Sequence, residues 1–167
     1  VKAVQSCFDI ASYFIDLANR TGDTVSNLKL QKLVYYSQAW HLAIHGTPLF
    51  EEDFQAWVHG PVVPELYQKY KVFGWQPIQE DISPELPKEV LIFLGEVAEE
   101  YFACDAYELE QMTHVEAPWN QARGDLLPDV PSNAVIEKEW MKEYYGGRGE
   151  ENTEDETEVT SGYQLFV

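Results

Sequence analysis

Several groups of residues in this chain have types and spacings that could do chemistry. His41 and His45 stand at i and i+4 in an apolar stretch, the spacing that lets two imidazoles on one helix face reach the same metal. A zinc-protease helix would also need Glu at position 42 as general base, and Leu42 stands there. No third ligand follows from local spacing, so the pair is expected to pack a helix end or face solvent. His114 and Glu116, in Thr113-His114-Val115-Glu116-Ala117-Pro118-Trp119, could form an acid–base pair for a hydrolase. No Ser or Cys nucleophile stands beside them in a recognisable elbow. The same side chains would equally serve to satisfy backbone groups at a turn above a buried Trp119. His59 precedes Gly60-Pro61 and is read in the same way. Gly146-Gly147-Arg148-Gly149 follows a helical stretch instead of opening one, the wrong polarity for a phosphate loop. None of these arrangements assembles a cofactor site, and the chain is read as non-enzymatic.

The elements that would position these residues are centred on Ser26 to Gly46. Ser26 suits an N-cap and Gly46 the left-handed residue that stops a helix. Leu30, Leu33, Val34, Ser37, Trp40 and Ile44 form one stripe between them, and Leu28, Tyr35, Ala39 and Leu42 a second. A helix apolar on more than one side must be covered on more than one side. A first helix is expected over 1–19, ended by Gly22-Asp23. Alternation over Phe54 to His59 predicts a strand ended by Gly60-Pro61. Pro64 suits the first position of a helix running to about Phe73. Trp75 to Gln79 is expected to be extended and to pair with the Phe54 strand. Further helices are expected over 87–102, after a capping box at Asp105 and Glu108, and from Pro118 to Gly124. Ser132 is expected to cap a last helix carrying Ile136, Trp140 and Tyr144, which Gly146-Gly147 ends. The fold class expected is mainly α: a single compact helical domain, residues 1–147, around a buried central helix with a small β-hairpin element.

The chain has 167 residues, 45% of them hydrophobic, enough for one real core. No apolar run reaches the roughly 20 residues of a membrane span, since Lys29 and Lys32 interrupt the best candidate. Cys7 and Cys104 are read as free thiols, and the cytoplasm as the compartment. With 29 acids against 11 Lys and Arg the net charge is −18. That field repels phosphate backbones and anionic membrane surfaces, so neither direct nucleic-acid binding nor membrane binding is expected, and it steers toward a basic protein partner. Residues 148–167 are expected to form an acidic tail, with Tyr163, Leu165, Phe166 and Val167 as an apolar end suited to docking. Trp57, His59, Glu65 and Tyr67, on and after the strand, are the other candidate partner contacts, with a core role for Trp57 as the competing reading.

Leu28-Lys29-Leu30-Gln31-Lys32-Leu33-Val34-Tyr35-Tyr36, Gly46-Thr47-Pro48-Leu49-Phe50, Ala56-Trp57-Val58-His59-Gly60-Pro61-Val62-Val63-Pro64, then Leu109 and the Thr113 to Trp119 run, occur in this order. Together they resemble the Panacea domain, over about Cys7 to Tyr145. Proteins of that family, also called phage-associated proteins, are mainly antitoxins of toxin–antitoxin pairs. The resemblance implies a mostly helical fold with a small β element, and an antitoxin that neutralises a toxin encoded nearby by direct contact. It also implies, as an alternative, an adaptor that delivers its toxin to an AAA+ protease. It carries over no catalytic residue; Leu30, Leu33, Trp57, Gly60, Pro61, His114 and Trp119 match as fold determinants.

Overall fold

Ser26 and Gly46 set the length of the helix on which the other elements pack. In the computed structural model, which describes residues 5–154 and their side chains as far as Arg148, the Ser26 hydroxyl accepts the Lys29 amide at 3.2 Å. Gly46 takes the left-handed conformation at φ 75°, and α2 is Asn27–His45. Tyr163, Leu165 and Phe166 lie outside the described residues. Leu30, Leu33, Val34, Tyr35, Tyr36, Ala39, Trp40 and Leu42 are all buried, so α2 is covered on more than one side. Ile44, expected on a buried stripe, is 41% exposed. It sits in the last turn, where His45 is exposed too.

Asn27, Gln31, Lys32 and Gln38 of α2 are buried as well, because they hold the backbone of the elements laid over them. Gln38 accepts the Leu49 amide and donates to the Phe50 carbonyl, both at 2.7 Å. Gln31 accepts the Val63 amide at 3.0 Å. Asn27 donates to the Tyr67 carbonyl at 3.1 Å. Lys32 donates to the Pro61 carbonyl at 3.0 Å. Buried amides without such partners would each cost about 1–3 kcal/mol. Their pairing fixes where the chain enters and leaves the β element.

Ahead of α2, α1 is Cys7–Thr21, opened by a reciprocal Ser6–Asp9 capping box and closed by Gly22 at φ 74°. It therefore starts later than residue 1. Its Ile10, Phe14 and Ile15 join the core with α2. After α2, β1 (Phe54–Trp57) pairs antiparallel with β2 (Gly60–Val62) and, on its other side, with β3 (Val135–Ile136). Three expectations are corrected here. Gly60-Pro61 does not end the strand but begins its return partner, and the turn lies at Val58-His59. Trp75 to Gln79 does not pair with β1; Pro77 bridges to Ser26 instead, where the Ile78 amide meets the Val25 carbonyl at 2.9 Å. Ile136 is a strand residue opposite Phe54, and Ser132 turns back on the Ala134 amide instead of capping a helix.

The remaining helices are α3 (Pro64–Tyr70), continued by a tight turn Lys71–Phe73, then α4 (Lys88–Tyr101), α5 (Ala106–Val115) and α6 (Ala117–Arg123). Asp105 and Glu108 form the expected capping box at α5. The last helix, α7, is Lys138–Glu154 and runs through Gly146-Gly147 instead of stopping there. Packing against α2 accounts for this: Tyr145 is buried among Tyr35, Tyr36 and Trp40, and tertiary contact overrides the weak helix propensity of glycine. Cys7 and Cys104 are free, Cys7 buried and Cys104 partly so. The result is the mainly α domain expected, with a three-stranded sheet where a hairpin was anticipated.

Candidate partner-binding groove

Alternation in β1 turns Phe54 and Ala56 inward and Gln55 and Trp57 outward. The register places Gln55 beside Val62 and Val135, so the outer sheet face forms a floor. Helix α3 and the turn after it rise along one side with Tyr67, Lys71 and Trp75, and Pro131 to Asn133 rise along another. Between them is a groove of about 740 Å³ whose inner end reaches Asn27 and Leu28. Trp57 packs edge-on against Tyr67, ring centroids 5.0 Å apart, and its indole N–H donates to Gln55 at 2.8 Å. Trp75 is 78% exposed. Two indoles and a phenol thus face a shallow cleft, the large low-entropy surface from which binding hot spots are made.

Of the candidates named from the sequence, Trp57, His59 and Tyr67 are brought together at this groove. Trp57 is half-buried, so it serves both the sheet and the cleft. His59 sits at the hairpin tip, its ring 3.2 Å from the Glu110 carboxylate. Glu65 is not at the groove; it is exposed on α3, and its charge is felt by the buried Cys7 thiol. Trp75, Lys71 and Asn133 were not anticipated. The sequence signal at Trp75, a tryptophan just after the helix-ending Gly74, predicts an extended segment and does not point to the groove.

Beneath the hairpin tip, Gly60 has φ 107°, and a Cβ there would stand 2.5 Å from Lys32 Cε. Only glycine lets the turn close over the lysine. Burial lowers the Lys32 ammonium from 10.5 to about 7, with Glu110 opposing the shift. Behind the floor, the Trp119 indole donates to the Trp57 carbonyl at 2.8 Å. Arg123, also buried, donates to the Ala56 carbonyl at 2.9 Å and to the carbonyls of Leu127 and Val130. That guanidinium ties β1 to the loop that leads into the Pro131 rim.

His114 and Glu116 do not form an acid–base pair. His114 stacks on Trp119 with centroids 4.1 Å apart, and burial lowers its pKa. Glu116 accepts the Tyr36 and Tyr145 hydroxyls, both at 2.7 Å, and burial raises its pKa against those bonds. The two residues serve different joints of the core. His41 and His45 have ring centroids 4.7 Å apart, and His41 Nδ1 lies 2.6 Å from the Thr47 carbonyl oxygen. Among the described residues no group of three His, Cys, Asp or Glu side chains is placed to hold a metal, and no described helix is long and apolar enough to cross a membrane.

The profile of the family described as Antitoxin SocA-like, Panacea domain matches residues 30–120. That interval runs from the first turns of α2 through the sheet floor, Tyr67 and Trp75 to α6. Antitoxin SocA of Caulobacter vibrioides is 34% identical over 82 residues, which is 49% of this chain and 42% of that protein. The matched segment therefore spans less than half of that curated relative's length. No solved structure matches the chain with significance. With its family profile covering more than half of its length, the chain belongs to the Antitoxin SocA-like, Panacea domain family.

Proposed function

We propose that this protein is an antitoxin that silences a cognate toxin by direct protein–protein contact, with the aromatic groove as the docking surface. The observation that carries the reading is the aromatic set of half-buried Trp57 and Tyr67 with exposed Trp75 lining one groove, within the interval that matches the antitoxin family. An aromatic cleft held open by a fitted core is poised to bury a partner's side chains without reorganising. The −18 charge adds a long-range field that accelerates encounter with a basic partner and opposes an acidic one.

Expression of the gene beside this one, alone and together with it, tests the proposal. Growth arrest by the neighbour, relieved on co-expression and accompanied by a stoichiometric complex, is the expected result. A harmless neighbour, or arrest that persists with both proteins present, overturns it.

A further inference from the structure

The groove lacks the charge that dominates the rest of the chain. Among the described residues no Asp or Glu lines it, although the chain has 29 of them. Its full charge is Lys71, exposed on the wall that carries Trp75, with no carboxylate at ion-pair distance among the described residues. Glu110 faces His59 at the hairpin tip, 3.2 Å away, and is not part of the lining. The hydrogen-bonding groups share a polarity. An indole N–H can only donate, so the Trp57 bond takes the Gln55 side-chain carbonyl oxygen and leaves the Gln55 NH2 group as donor. The Ser132 hydroxyl oxygen accepts the Ala134 amide at 3.1 Å, which leaves its O–H as donor. Asn27 is engaged at both ends, donating to the Tyr67 carbonyl and accepting from Gln31. A cation and two donors beside an aromatic floor fit a ligand that brings an apolar ring together with acceptors and negative charge.

We propose that the groove accepts a toxin segment in which an aromatic side chain is followed closely by a carboxylate. The ring lies against Trp57, Tyr67 and Trp75, the carboxylate pairs with Lys71, and Gln55 and Ser132 donate to carbonyl oxygens of the segment. This selectivity rests on the groove being the docking surface for the toxin. It is compatible with a toxin that is basic as a whole. At physiological salt the Debye length is about 8 Å, so the −18 of the chain acts as a diffuse field during approach, whereas the Lys71 pair forms at contact, where screening is weakest. Carboxylates over the rest of the surface repel an acidic segment, and the acid-free groove is where it is tolerated. That contrast selects the segment by repulsion elsewhere as well as by attraction here.

Three probes that share one ring and differ in charge test it on the full-length protein: N-acetylphenylalanine, its neutral amide, and the cation phenethylamine. Titration is followed by the indole N–H resonance of Trp75, assigned with Trp75→Phe, at about physiological salt. The anion is expected to bind severalfold more tightly than the amide, and the cation most weakly. Lys71→Gln should remove the gap between anion and amide while leaving the affinity of the amide in place. Lys71 is exposed, so its variants should melt with the parent. Equal binding of the three, tightest binding of the cation, or no shift of Trp75 with any of them overturns the proposal. So does a Trp75 resonance that moves with protein concentration alone, which would assign the groove to a second copy. In the purified toxin complex Lys71→Glu separates the possibilities by sign, because it removes the cation of the groove while making the protein more acidic. A loss of about tenfold in affinity through faster dissociation is expected; a complex left unchanged or tightened overturns the proposal. Growth arrest that persists on co-expression sinks the antitoxin reading and leaves the probe ranking untouched, whereas an inverted ranking leaves neutralisation standing.

Discussion

The Lys32 ammonium lies 3.0 Å from the Pro61 carbonyl oxygen, with no exposed surface of its own. A lysine at this depth holds the hairpin that carries Trp57 and His59, and it does so at a cost in charge burial.

That cost sets a pH dependence. Folded Lys32 titrates at about 7 against 10.5 when unperturbed, so between these values the unfolded chain binds more protons and stability rises with pH. The rise is cleanest from pH 7 to about 8, before the unfolded Cys7 thiol begins to ionise and its buried form, held up by burial, opposes it, as the buried tyrosines do at higher pH. Lys32→Met should flatten the rise, since it keeps the volume and removes the charge. Urea unfolding of both proteins at pH 7 and pH 8 decides this, and equal slopes would refute it.

Gly60→Ala tests the same contact from above. The new Cβ would stand 2.5 Å from Lys32 Cε at φ 107°, and strain at such a backbone position alone costs about 1–3 kcal/mol. A loss of stability larger than that strain is expected, because the clash adds to it. Partial recovery in Gly60→Ala/Lys32→Ala, measured as a double-mutant cycle, would identify the lysine as the obstacle.

What was legible beforehand follows the range of the interactions concerned. The caps at Ser26, Gly46 and Asp105 and the helix start at Pro64 are decided within four residues, so local sequence carries them. The third strand is two residues long and exists because Ile136 finds Phe54 across the fold, a pairing with no local signature. Nothing local to α2 announces the burial of Lys32; the Pro61 carbonyl it meets and the close approach of Gly60 come from the hairpin. Position on and after the strand makes Trp57 and Tyr67 candidate contacts, with a core role for Trp57 as the competing reading, and both side chains are half-buried. Trp75 joins them through the course of the chain after α3, which alternation could not reveal.

Glu116 binds two tyrosine hydroxyls with one oxygen, and the two possible changes there should act in opposite directions. Its folded pKa is raised by burial, so ionisation penalises the fold once pH exceeds the unfolded carboxyl value, and stability falls as pH rises through that range. Glu116→Gln retains an acceptor for Tyr36 and Tyr145, removes the charge, and should equal or exceed the parent in stability at pH 7. Glu116→Ala leaves both hydroxyls without it and should cost about 2–4 kcal/mol. Thermal unfolding at pH 5 and pH 7 distinguishes these outcomes.

Arg123→Lys should loosen one rim of the groove without opening the core. A lysine supplies a point charge in place of the planar fork that reaches Ala56, Leu127 and Val130 together. Amide exchange should accelerate over residues 125–133 while α2 stays protected. Uniform acceleration across the domain would mean that Arg123 supports global stability instead.

Trp75 offers a cleaner test of the docking surface than Trp57, whose half-buried indole also supports the sheet. At 78% exposure, Trp75→Ser should change folding stability by no more than about 0.5 kcal/mol. If the groove receives the toxin, the same substitution should cost about 2 kcal/mol of binding, roughly thirtyfold in affinity, as a central aromatic contact does. Trp57→Ala should lower both stability and binding, so it cannot separate the roles by itself. Titration of the purified complex, alongside thermal melts of the free variants, measures both quantities. A Trp75→Ser protein that melts with the parent and binds the toxin as tightly would place the toxin contact elsewhere on the domain.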